Sequence, residues 1–265
     1  MFTNRDHTFV VCAYGESDYL EECVRSILNQ KIKTGCIIST STPNNRIKEV
    51  SSKFEIPLYI NEGESGIAHD WNCAVSHCMT PLVTIAHQDD VYLPSYSETM
   101  LSRVNSARKP LIFFSNYGEI RNGIDVDNNA LLSVKRALLS SISKRGFLSK
   151  TRDKRNLLRF GSSICCPSVT LNVSMLPKPI FLSNMKSNLD WEAWERFSSL
   201  DGDFVYSRDI LMRHRIHEDS ETTALIRDDT RSLEDLYMLS KFWPKPVAVL
   251  INHLYSLSFK SNSIS

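Results

Sequence analysis

Apolar positions in the first third of the chain switch between two periods. Phe9 to Ala13 is an unbroken apolar run, as expected of a strand buried on both faces. A turn at Tyr14-Gly15-Glu16 follows. Asp18 and Glu21, three apart as in a capping box, then precede Leu20, Val24, Ile27 and Leu28 at helical spacing. The alternation continues with a strand at Cys36 to Thr40, a helix striped by Ile47, Val50 and Phe54, and a strand at Leu58 to Ile60. Next come a helix with Ile67, Trp71, Val75 and Cys78 on one face and a strand at Leu82 to Ala86. Beyond Pro94 a further short helix leads to a fifth strand at Leu111 to Asn116. This rhythm predicts an α/β domain with a mostly parallel central sheet covered on both faces.

The remainder is less regular and divides the chain into three expected parts: 1–120, 121–223 and a helical tail, 224–265. From Lys135 to Phe160 nine Lys or Arg stand against a single acid, Asp153. Over all 265 residues, however, 31 basic and 30 acidic side chains nearly cancel, which argues against a nucleic-acid binder working by bulk charge. No apolar run approaches the length of a membrane span, and the polar opening MFTNRDH does not read as a secretory leader. Seven cysteines without a CxxC pair argue against a disulfide framework or zinc knuckle. These features predict a reduced, cytoplasmic protein.

Parallel sheets present ligands at the carboxyl ends of their strands, so His87-Gln88-Asp89-Asp90, directly after the fourth strand, is the first candidate. Adjacent carboxylates repel and lose solvation there, and a divalent cation relieves both costs. The alternative reading of the pair is an acidic turn or helix cap.

The blocks VVCAYGESDYLEECVRSILNQ, NEGESGIAHDWNCAVSHC and TPLVTIAHQDDVYLP resemble the nucleotide-binding half of family-two glycosyltransferases with the GT-A fold. FFSNYGEI, LDWEAWER and HRIHEDSETT resemble later segments of that family, in its order, over roughly residues 8–223. The resemblance implies a GT-A-like αβα sandwich with residues 1–120 as the donor half, 121–223 as the acceptor half and a helical C-terminal lobe. It implies an inverting, Mn²⁺- or Mg²⁺-dependent transferase acting on a nucleotide-sugar donor and a glycan or lipid-linked glycan acceptor in polysaccharide biosynthesis. By the same match, Ala13, Tyr14 and Glu16 line the nucleoside pocket. Gln88, Asp89 and Asp90 occupy the DXD segment, Asp90 and His217 are metal ligands, and Asp190 is the base, with Glu192 as fallback. Ser220 and Thr222 would order a closing loop.

The match also has departures. Ser39 to Pro43, including Ser41, stands where uridine-using members carry an aspartate, and hydroxyls accept base hydrogen bonds less selectively. Asp70-Trp71-Asn72 replaces an Ala-Arg-Asn triplet: Trp71 fits the helix's apolar face, while Asp70 can face the donor. Gln88 replaces a carboxylate, and Leu189 an acid. Two rivals stay open. One is a nucleotidyltransferase, disfavoured by the acidic loop Tyr14 to Asp18; the other is a non-catalytic nucleotide-sugar-binding protein. For the basic stretch the readings are a solvated helical face, a platform for a phosphate-bearing acceptor, or, with the apolar tail around Trp243 and Leu250 to Phe259, peripheral contact with an anionic membrane.

Overall fold

The computed structural model describes residues 1–64, 66–217 and 230–262. In chain order its elements are β1 (His7–Ala13), α1 (Leu20–Leu28), β2 (Gly35–Thr40), α2 (Asn45–Lys53), β3 (Leu58–Ile60), α3 (Ile67–Ser76), β4 (Leu82–His87), β5 (Val91–Tyr92) and α4 (Tyr96–Ser106). There follow β6 (Pro110–Arg121), β7 (Ile124–Val126), α5 (Ala130–Leu138), α6 (Ser140–Arg145), β8 (Phe147–Leu148), α7 (Thr151–Leu158), β9 (Thr170–Asn172), α8 (Leu189–Ser198), β10 (Asp203–Ile216), α9 (Thr230–Ser240) and α10 (Lys245–Asn262).

One sheet runs in the order β3-β2-β1-β4-β9-β6-β10-β5, with β7 on β6 and β8 on β10. Strands β1 to β4 pair parallel, as do β6 and β10, while β9 lies antiparallel between β4 and β6. The period of two along each strand sorts side chains into two cores. Phe9, Val11, Ile38 and Phe113 pack with the buried faces of α1, α2 and α4. Val10, Ile37, Phe114 and Phe204 pack with α3, α7, α8 and the C-terminal helices. A layer of helices therefore covers each face of the sheet.

Local signals set most boundaries. Asn44 caps α2 through the backbone N–H of Ile47 at 2.9 Å, and Asn129 caps α5 through that of Leu132 at 2.8 Å. The expected Asp18–Glu21 capping box does not form. Tyr19 occupies the N-cap without a side-chain bond, and Glu21 turns to Arg25 and Lys53, at 2.7 and 2.8 Å. Those cations outcompete a single backbone N–H for the carboxylate.

The basic stretch folds as α5, α6 and α7, and its charges scatter. Lys135 donates to the Tyr117 hydroxyl at 2.7 Å, and Arg136 donates to the carbonyls of Tyr117 and Asp127. Lys154 is completely buried, its Nζ donating to the carbonyls of Leu200 and Gly202 at 2.6 and 2.8 Å. The stretch is not one platform.

Candidate active site

The carboxyl ends of β1, β2 and β4 meet at one rim. The turn after β1 needs a left-handed residue, supplied by Gly15 at φ +59°. Gly15 donates its N–H to Thr42 Oγ1 at 2.7 Å and accepts from Asn44 Nδ2 at 2.7 Å. Across the rim, the Gln88 carboxamide accepts from the N–H of Tyr14 at 3.1 Å and donates to its carbonyl at 2.8 Å. A carboxylate cannot make the second bond, which accounts physically for glutamine at this position. Ala13 is buried at the end of β1, whereas Tyr14 and Glu16 are exposed beyond it. Asp70, on the first turn of α3, reaches the end of β2, where its carboxylate accepts from Ser41 Oγ at 3.0 Å and Asn61 Nδ2 at 3.1 Å.

The register of the last strand builds the acidic centre. β5, immediately after Asp90, pairs antiparallel with β10 (Tyr92 opposite Met212, Val91 opposite Arg213), which brings residues 214–217 beside Asp89 and Asp90. Asp90 is fully buried; its Oδ1 sits 2.9 Å from His214 Nδ1 and accepts the N–H of Arg215 at 3.0 Å. Asp89 Oδ2 is 2.9 Å from His217 Nε2. Arg215 donates to the Asp89 carbonyl and to Glu22, while its guanidinium lies 4.3 Å from the centre of the Tyr19 ring. His87 stacks on Trp71 with ring centres 5.4 Å apart.

His87, Asp89 and Asp90 offer ligand atoms within 4.8 Å of one another. The buried Oδ2 of Asp90 and Nε2 of His87 have no hydrogen-bond partner among the described residues. Orphaned buried acceptors beside a second carboxylate form a donor set that fits a divalent cation, and the imidazole favours Mn²⁺ over all-oxygen Mg²⁺ chemistry. Of the expected pair, Asp90 and His217, the histidine lies on Asp89, while His214 lies on Asp90 and His87 stands beside both carboxylates. Burial raises and the neighbouring histidines lower the Asp89 carboxyl, with a net shift below the ordinary range. At His214 burial acts downward, but Asp90 and Asp89 together outweigh it and hold the imidazole above its usual value.

Asp190 lies in the first turn of α8, and one of its oxygens accepts the Trp191 N–H at 2.7 Å. The turn entering that helix is clamped by α9. Glu234 accepts the backbone N–H groups of Lys186, Ser187 and Asn188 at 2.7, 2.8 and 3.0 Å, and Asp235 accepts Asn188 Nδ2 at 2.7 Å. Burial holds the Asp190 carboxyl above its ordinary pKa, against the Trp191 hydrogen bond and the charges of Arg231, Lys135 and His87. Burial chiefly lifts the thiols of Cys165 and Cys166, and both Asp90 and Asp190 add to that lift, so the two carboxylates bear on the same short turn. Glu192 is instead buried 3.5 Å from Arg196. Ser220 and Thr222 lie outside the described residues.

The sequence profile of glycosyl transferase family 2 matches residues 8–169. The chain belongs to this family. Solved structures agree on the fold. S. aureus TarS, residues 1–349, is similar at TM-score 0.63 and 12% identity, over 93% of this chain and 69% of that one. Its complex with UDP-GlcNAc gives 0.63 and 13%, over 93% and 70%. The mannosyltransferase PcManGT from Pyrobaculum calidifontis, in complex with GDP-Man and Mn²⁺, gives 0.61 and 12%, over 95% and 69%. No curated protein is matched. The family-2 assignment carries a GT-A fold with it, as the motif order predicts.

Of the site residues that sequence reading missed, His87 precedes Gln88 in the chosen motif. His214 and Arg215 lie in the very segment read for His217. Only the β5–β10 register tells which of its alternating residues face the acids.

Proposed function

We propose that this family-2 chain is an inverting, metal-dependent glycosyltransferase. It moves a sugar from a nucleoside-diphosphate donor to a hydroxyl of a glycan or lipid-linked glycan in polysaccharide biosynthesis at the cytoplasmic face of a membrane. Residues 1–120 form the donor half, 121–223 the acceptor half and 224–265 the helical tail. His87, Asp89 and Asp90 are the residues that would hold Mn²⁺ or Mg²⁺; when bound, the cation supplies charge neutralisation for the departing diphosphate. UDP-GlcNAc and GDP-Man, the molecules bound by the TarS and PcManGT neighbours, define the donor class to try first.

This chain's own groups supply the rest. Gln88 and Asn44 fix the loops around the nucleoside, with Ala13, Tyr14 and Glu16 along the wall. Ser41 and Asp70 form a polar rim where other members carry an aspartate. His217 and His214 orient the two acids. One oxygen of Asp190 is held by the Trp191 N–H, and the other takes the proton of the acceptor hydroxyl as that oxygen attacks the anomeric carbon. The carbon–phosphate-oxygen bond then breaks on the opposite face, which inverts the centre. Burial raises the basicity of Asp190 toward working pH, as a general base requires.

The observation carrying this reading is the donor set of His87, Asp89 and Asp90, whose ligand atoms lie within 4.8 Å of one another at the carboxyl end of β4. Asp190→Asn preserves shape and an acceptor for the Trp191 N–H. It should lower transfer by about 10²- to 10⁴-fold and leave donor affinity, measured by calorimetry, unchanged. Transfer at the wild-type rate removes Asp190 as the base. The binding-only reading draws on one observation, the engagement of Gln88 by Tyr14, and predicts donor binding with no diphosphate released.

A further inference from the structure

A groove of about 560 Å³ lies away from the acidic centre, between α7 and the turn joining α9 to α10. Helix α7 has two faces. Lys154, Leu157 and Leu158 point into the core, whereas Arg152, Arg155 and Arg159, at i, i+3 and i+7, line the groove opposite Lys241 and Trp243. Arg155 and Lys241 both pair with Glu195 on α8. Arg152 is exposed with no carboxylate partner among the described residues, and Arg159 lies over the rings of Phe160 and Trp243. Four cations against one carboxylate leave three positive charges, and exposed Lys245 opens the next helix.

Apolar side chains are exposed on the two helices that the turn at the groove joins. On α9, Leu233 is 70% exposed and Tyr237 53%; they stand four apart, in line with Lys241, whose Nζ lies 5.6 Å from the centre of the Tyr237 ring. On α10, Val247 and Leu250 are exposed one turn apart. The helices are tied together where Asn252 Nδ2 donates to the Ser232 carbonyl at 3.1 Å. No described helix is long and apolar enough to cross a membrane.

We propose that this face docks on an anionic lipid leaflet, with headgroup phosphates in the arginine groove and Leu233, Tyr237, Val247 and Leu250 at the acyl boundary. A phosphate alone would account for the cations. Exposed apolar residues beside them on two helices call for a partner that is charged and apolar at once. Phe242, on the groove's wall, stacks on Trp191, the residue after the proposed base, with ring centres 6.4 Å apart. Docking would bring a lipid-linked acceptor to that helix. The purpose of the site rests on the acceptor reading above, but its binding does not.

The full chain should co-sediment at low salt with phosphatidylcholine vesicles containing phosphatidylserine and remain in solution with phosphatidylcholine alone. Each arginine removed should weaken binding about five-fold, so Arg152→Ala with Arg159→Ala costs about 25-fold. Leu233→Ser with Leu250→Ser should weaken it further, with donor affinity unchanged in both. Arg152→Glu, at an exposed position, repeats the test without disturbing the ring contacts of Arg159. Equal binding to both vesicle types, undiminished binding by the arginine variants, or saturable binding of inorganic phosphate without vesicle binding overturns the proposal. Because these readouts need no turnover, they fail separately from the transferase reading.

Discussion

Two charged segments of similar prominence in the sequence behave in opposite ways. The four residues His87 to Asp90 converge: one imidazole and two carboxylates share a centre, and Gln88 locks the neighbouring loop. The nine cations from Lys135 to Arg159 disperse, with Lys135 on a tyrosine, Lys154 in the core and Arg152 in a distant groove. The difference lies in where the backbone sends successive side chains. A strand end leaves its next few residues at one rim, where the neighbouring strand, here β10, can meet them. Helices rotate each residue by a fixed angle, and α5, α6 and α7 send like charges to different faces.

Within the basic stretch, burial and hydrogen bonding should outrank charge. Lys154→Ala removes the donor for two carbonyls and empties a fully buried volume, so it should destabilise the fold by about 3 kcal/mol. Lys144→Ala, at an exposed position with no partner among the described residues, should stay within about 0.5 kcal/mol in the same urea titration. Equal losses would mean that Lys154 is held no better than a surface lysine.

The N-terminal half of the chain contains its own buried basic group. His7, at the root of β1, lies 3.0 Å from Thr34 Oγ1 and 2.9 Å from Thr84 Oγ1, and burial lowers its pKa to about 3. The unfolded chain protonates this ring near pH 6.5 and the folded chain does not. Its contribution is therefore intact above pH 6.5 and lost progressively as pH falls toward 3. Urea titrations between pH 7 and 4 should show His7→Asn losing stability less steeply than the wild type, by at most about 1.4 kcal/mol per pH unit. Identical slopes would place a proton on His7 in the native state.

The sequence foretold the strands of the N-terminal half well, because apolar runs such as Phe9 to Ala13 and Leu82 to Ala86 encode depth directly. It foretold the second half poorly. β9, only three residues long, enters the sheet antiparallel through a pairing that no local pattern specifies. The site divides in the same way. Asp89 and Asp90 were legible from their place after β4. The identities of their partners were not, since choosing among His214, Arg215 and His217 requires the register against β5. Glu234, whose carboxylate gathers three N–H groups ahead of α8, gave no local signal because its partners are 46 to 48 residues away.

The central claim is that the acids after β4 hold a cation on which donor binding depends. Calorimetric titration of nucleoside-diphosphate sugars, UDP-GlcNAc and GDP-Man among them, with and without Mn²⁺, addresses it directly. At least one donor should bind only with Mn²⁺, and Asp90→Ala should abolish that binding. Equal donor affinity with chelator and with metal, or undiminished Mn²⁺-dependent binding by Asp90→Ala, would contradict the account.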